Sequence, residues 1–222
     1  MEKILLKIEH ALDFVESSIS SCLTNPLIIS DDKFHHNTKY KDAISIIRNG
    51  ILSPSELNKL GIEGYTDDVI ESMEDIESHA NGSEAISLAV VGLEDISPDE
   101  FEYDPFSERY VDFLITSDIR ARRVSTNYGN EYLSDKSIDT DKFRAIDIRL
   151  LSLIQTIREN TNVERDNSSV SELIDNYNKL RDMAKLLRER KLCVPLREMS
   201  SNEGVAIDIE KISSMPKVKI KI

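Results

Sequence analysis

Phe34-His35-His36-Asn37-Thr38, followed by Ala43-Ile44-Ser45-Ile46-Ile47-Arg48-Asn49-Gly50-Ile51-Leu52, combines a short strand, a helix and a return to the core. The strand ends in His-x-Thr. The helix is built on Ile44, Ile47 and their neighbours, Asn49-Gly50 is its stop, and Ile51-Leu52 re-enters the interior. A compact strand–helix–strand unit is therefore expected, with its His and Thr where the strand opens. Whether His35 or His36 enters a cleft stays open, because a one-residue slip in a strand exchanges its faces.

Two further stretches belong with it. Ala85 to Leu93 reads as a buried strand in which Ser87 is the polar side chain, facing inward or toward a cleft. Asn127-Tyr128-Gly129-Asn130-Glu131-Tyr132-Leu133 puts Glu131 just past a Tyr-Gly-Asn turn, with the apolar run Phe143 to Leu150 beyond it. Alternating strand-type residues after a turn present a carboxylate at a loop rather than inside a helix. Such a carboxylate either acts on a ligand or is ordinary solvated surface.

In their order and spacing these motifs resemble the ADP-ribosyltransferase superfamily, and within it the single-glutamate, DarT-like branch. His36-Asn37-Thr38 with Asn49-Gly50-Ile51 corresponds to the early motif. Ala85-Ile86-Ser87-Leu88-Ala89 corresponds to the middle strand, and Glu131-Tyr132-Leu133 with Ile138 and the strand Ala145 to Leu150 to the late one. The resemblance implies an α+β fold: a split β-sheet ADP-ribosyltransferase-like core with an N-terminal helix and a helical C-terminal extension. Residues 1–150 would form the ADP-ribosyltransferase-like domain, and 151–222 a helical extension ending in a short strand and packed on the same domain. It also implies NAD as co-substrate, cleaved between nicotinamide and ribose, with ADP-ribose passed to a macromolecular acceptor. Glu131 would be the catalytic residue, and His36, Thr38, Ser87 and Tyr110 would hold NAD; no metal is implied.

The chain departs from the family pattern where the acceptor is concerned. Arginine-modifying members carry Glu-x-Glu or Gln-x-Glu, whereas Gly129 stands two positions before Glu131. DarT-like enzymes act on DNA, yet 28 basic residues against 41 acidic give a net charge of −13 and a pI near 4.8. That balance opposes binding of a polyanion or an anionic membrane, so a protein acceptor is expected over a nucleic acid. Two other readings compete. An enzyme moving phosphate from RNA onto NAD would need several converging arginines, and Arg120, Arg122 and Arg123 are few and local. A non-catalytic interaction protein would use the acidic surface and the C-terminal helices to bind a protein partner.

The rest of the chain supplies context. At 222 residues and 40% hydrophobic it can bury one sizeable core. Cys22 and Cys193 lie far apart without metal-ligand spacing, which suits buried or partly buried thiols and a reducing, cytoplasmic setting. No run approaches the ~20 apolar residues of a membrane-spanning helix, and Glu2, Lys3, Lys7, Glu9 and Asp13 stand where a leader needs an apolar block. A soluble, unprocessed protein is expected. Ile4, Leu5, Ile8, Leu12, Val15 and Ile19 predict one amphipathic helix over Glu2 to about Cys22.

Ser53-Pro54-Ser55-Glu56 predicts a helix start with Pro54 at its first position. An acidic-faced helix is expected from Asp67 to Ser78. Phe101, Tyr103, Phe106 and Tyr110 gather in a Pro-containing loop, either as a wall for a flat ring or as core packing. Val111 to Ile115 reads as a strand, and Leu173, Ile174, Tyr177, Leu180, Met183, Ala184 and Leu187 form a helical stripe opened by the capping-box pattern at Ser169 to Glu172. Lys217 to Ile222 alternates as an edge strand does.

Overall fold

Strand β3 (Asp32–Thr38) and helix α2 (Tyr40–Asn49) realise the first unit, in a computed structural model that describes residues 3–29, 32–62, 84–90, 111–126, 129–159, 167–199 and 204–220. The acidic helix expected over Asp67 to Ser78, and Tyr110 with its aromatic loop, lie outside those residues. The architecture is α+β, with helices packed on mixed β-sheet.

Among the described residues the main sheet has six strands, in the order β2-β10-β9-β8-β5-β3. Its members are β2 (Leu23–Pro26), β3, β5 (Val111–Thr116), β8 (Phe143–Ile148), β9 (Leu196–Glu198) and β10 (Val205–Ile207). All pairs are antiparallel except β8 with β9. Every residue of β5 is buried, as a strand covered on both faces requires. The register sets His36 opposite Phe113 and Thr38 opposite Val111, then Phe113 opposite Ile146. A second sheet, order β4-β7-β6, joins β4 (Ile86–Leu88), β7 (Gly129–Ser134) and β6 (Arg122–Thr126).

Helix α5 (Asn167–Glu189) is the axis of the core. Leu173, Tyr177, Leu180, Met183 and Ala184 on its inner stripe are wholly buried, and α2 packs across it. Each such large aliphatic side chain contributes about 1.5–3 kcal/mol by leaving water. The helix begins at Asn167, so Ser169 lies inside its first turn rather than capping it.

The N-terminal segment departs from the expected single helix. Residues Lys3–Leu6 form β1, paired in parallel with β11 (Lys217–Ile220), and helix α1 runs only from Ile8 to Cys22. Pairing with the distant lysine-rich strand outweighs the helical period of Ile4 and Leu5. Pro26, lacking an N–H, ends β2 at the sheet's rim, where a proline is tolerated. Residues after 150 supply more than helices: besides α4 (Leu150–Glu159), α5 and α6 (Ile209–Ser214), they place β9 and β10 between β8 and β2. None of the described helices is long and apolar enough to cross a membrane.

Candidate functional site

Among the described residues the two larger sheets are joined by one bridge, His35 with Ala89. His35 N donates to Ala89 O (2.8 Å) and Ala89 N to His35 O (2.9 Å), just past the end of β4. Among the described residues that pairing is not continued along β3. Instead His36 Nδ1 lies 3.1 Å from Ser87 O, and a cavity of about 560 Å³ opens between β3, β4, α2 and helix α3 (Pro54–Lys59).

His36, Thr38 and Ser87 all line this cavity. Thr38 is buried, His36 half-buried and Ser87 exposed between the buried Ile86 and Leu88. Both histidines line the cavity: His36 Nδ1 lies against Ser87 O, and His35 Nδ1 lies against Asp112 Oδ2. Glu131 lies in β7, opposite Val124 and two residues before Leu133, which pairs with Ser87 and lines the cavity. The Glu131 side chain, like the whole of Tyr110, lies outside the described part of the structure.

Local chemistry explains the walls. Helix α2 stops at Gly50, whose φ of +80° suits a residue without a Cβ; an added Cβ would lie 2.4 Å from Ile138 O. That contact accompanies the Ile51–Ile138 bridge, and Ile51 lines the cavity. Helix α3 opens with Pro54 at its first position and a capping box between Ser53 and Glu56, as its sequence predicts. Ser137 Oγ donates to Glu56 Oε1 (2.7 Å), tying α3 to the segment before Ile138.

Behind the cavity runs a row of buried polar groups that motif reading passed over. Asp112, the second residue of β5, is wholly buried, and its Oδ2 lies 2.7 Å from His35 Nδ1. Opposite it on β8 is Asp147, also wholly buried. Arg197 on β9 grips Asp147 with two 2.7 Å hydrogen bonds, from Nε and Nη2, and donates from Nη1 to Leu27 O (2.8 Å). Like charges opposite one another on adjacent strands repel, so each acid needs its own cation or donor. The available signal was a lone acid inside an apolar run, Val-Asp-Phe-Leu-Ile and Ala-Ile-Asp-Ile, since an unpaired buried charge is too costly to keep.

Glu198, the neighbour of Arg197, is wholly buried on the helix side. Its Oε2 and Oε1 accept from the Leu150 and Leu151 amides (3.3 and 3.2 Å), the first turn of α4. Burial pushes its carboxyl up to about 8, against the opposing pull of those amides and of Arg149. Arg122 faces Asp135 (3.4 Å), and neither it, Arg120 nor Arg123 lines the cavity. The local basic cluster therefore stands apart from the site. Among the described residues no group of His, Cys, Asp and Glu is arranged to hold a metal ion.

Comparison with protein-family models, with curated proteins and with solved structures finds no match to this chain.

Proposed function

We propose that the chain is an NAD-dependent ADP-ribosyltransferase with an ADP-ribosyltransferase-like split-sheet core, and that the cavity at the seam is its NAD site. The observation that carries the reading is the convergence of His36, Thr38 and Ser87, three residues far apart in sequence, on one cavity where two sheets part. The volume of about 560 Å³ lies within the ~300–1,000 Å³ usual for ligand pockets. Asn37 Oδ1 is buried on the same cavity without a hydrogen-bond partner among the described residues, a vacant acceptor suited to a ribose hydroxyl. Lys39 adds a cation for the diphosphate.

In this reading the C1′–N bond of NAD breaks with its electrons moving to the pyridinium ring, which leaves as neutral nicotinamide while positive charge develops on the ribose. Glu131 is the carboxylate that stabilises that charge, from a strand position two residues from cavity-lining Leu133. His36 and Thr38 hold the second ribose, and Tyr110 the leaving ring. The acceptor favoured by a net charge of −13 is a protein rather than a nucleic acid.

Nicotinamide release from NAD, with and without cell lysate as a source of acceptors, tests this. Glu131→Gln is expected to lower the rate by about 10²–10³-fold. Lysate-dependent release points to transfer rather than hydrolysis. NAD at ~100 times its dissociation constant should stabilise the fold by about 2.7 kcal/mol. No release and no stabilisation would sink the reading in favour of a non-catalytic, partner-binding protein.

A further inference from the structure

Asp42 is the one acidic side chain on the cavity among the described residues, and the reading above gives it no task. Helix α2 with its two caps turns a single stripe to the cavity, on which Lys39, Asp42, Ile46 and Gly50 recur every three or four residues. Asp42 is half-buried in the first turn, where its amide donates to Lys39 O (3.1 Å). An acid in that turn suits the helix dipole, which explains its presence on α2 but not its place on the cavity wall. Its carboxylate makes no ion pair and accepts no hydrogen bond among the described residues, from Lys39 included.

Asn37 supplies a second oxygen of the same kind. Its Oδ1 is buried on this cavity without a hydrogen-bond partner among the described residues. An amide oxygen and a carboxylate both accept hydrogen bonds and donate none. Thr38 stands next to Asn37 at the end of β3 and, with His36, holds the second ribose in the reading above. One strand end and one helical turn therefore set two vacant acceptors on the wall assigned to that ribose.

The chemistry of those acceptors divides two otherwise similar ligands. A ribose cis-diol brings two hydroxyl donors, one for each vacant oxygen. Esterifying the 2′-hydroxyl with phosphate removes a donor and sets close to two negative charges before a carboxylate that has no counter-ion among the described residues. We propose that Asn37 and Asp42 select for the free diol of the adenosine ribose, so that the cavity takes NAD and refuses its 2′-phosphorylated counterpart, NADP; this rests on the NAD-consuming reading. Lys39 does not reverse the choice, because its charge is given to the diphosphate that both ligands carry.

The test uses the full chain, with NAD and NADP as the probes and their dissociation constants measured by equilibrium titration. The wild type should prefer NAD by about 10²-fold or more. Asp42→Asn keeps the shape of the side chain and removes its charge. It should weaken NAD about tenfold, tighten NADP, and bring the preference below about tenfold. A merely structural role would weaken both ligands alike and leave their ratio where it was. Should Asp42→Asn not fold, Asp42→Ser, which also suits the first turn of a helix, is judged by the same ratio. Equal binding of the two dinucleotides by the wild type, a preference for NADP, or a ratio unmoved by the substitution overturns the proposal and leaves the NAD reading standing. No binding of NAD by the wild type overturns both.

Discussion

Glu198 joins a β-strand to the start of a helix through a carboxyl that is neutral at pH 7, because burial lifts it from 4.5 to about 8. Between those values the unfolded chain has released a proton that the folded chain keeps. The contribution of Glu198 to stability is therefore full below about pH 4.5, falls as pH rises, by on the order of 1 kcal/mol per unit, and levels off above about pH 8. Glu198→Gln keeps an acceptor for one amide and abolishes this slope, which denaturant melts of both proteins from pH 5 to 9, approximately the titration range, will read. Residues of this kind were only partly legible beforehand. His36, Thr38 and Ser87 could be picked out because they belong to short motifs of fixed order. Asp112, Asp147 and Arg197 could not, because their meaning comes from strands that meet only after folding.

Elements were read best where local chemistry alone decides them. Asn49-Gly50 ends α2 and Ser53 to Glu56 starts α3 at the positions their sequences predict, since both signals act within one helical turn. The same locality gives Gly50 a measurable role. Gly50→Ala meets a left-handed φ and Ile138 O together, so it should destabilise by at least ~1 kcal/mol in chemical denaturation, and weaken any cavity ligand, since Gly50 and Ile51 both line it. Retained stability would mean that the Ile138 segment yields. Elements failed where a remote partner decides. Lys3–Leu6 is a strand because β11 lies beside it, and Leu23–Pro26 because β10 does. Nothing within either segment announces that partner.

At the scale of the molecule, the apparent border at residue 150 divides the motifs but not the fold. The motif-bearing part lacks the two strands that separate β8 from β2, and it lacks α5, on which α2 packs. A fragment comprising residues 1–150 should fail to fold cooperatively, measured as loss of a sigmoidal thermal transition; a sharp transition would show that the later residues are dispensable. Only the order of strands carries this information, and a one-dimensional pattern does not contain it. That order also governs when the protein can exist at all. Thr24 Oγ1 donates to Ala206 O across 182 positions, and β8 stays an open edge until Leu196–Glu198 is available to pair with it. Closing such wide loops precedes the contacts that reward it, which makes the route slow and leaves a sticky margin exposed during vectorial synthesis. The walls of the cavity, which lie between His35 and Leu133, leave the ribosome well before β9 and β10, which complete the frame that holds them apart. A nascent chain thus carries the ingredients of the site without the site, and whatever chemistry the cavity performs is silent until residues 196–207 have been made.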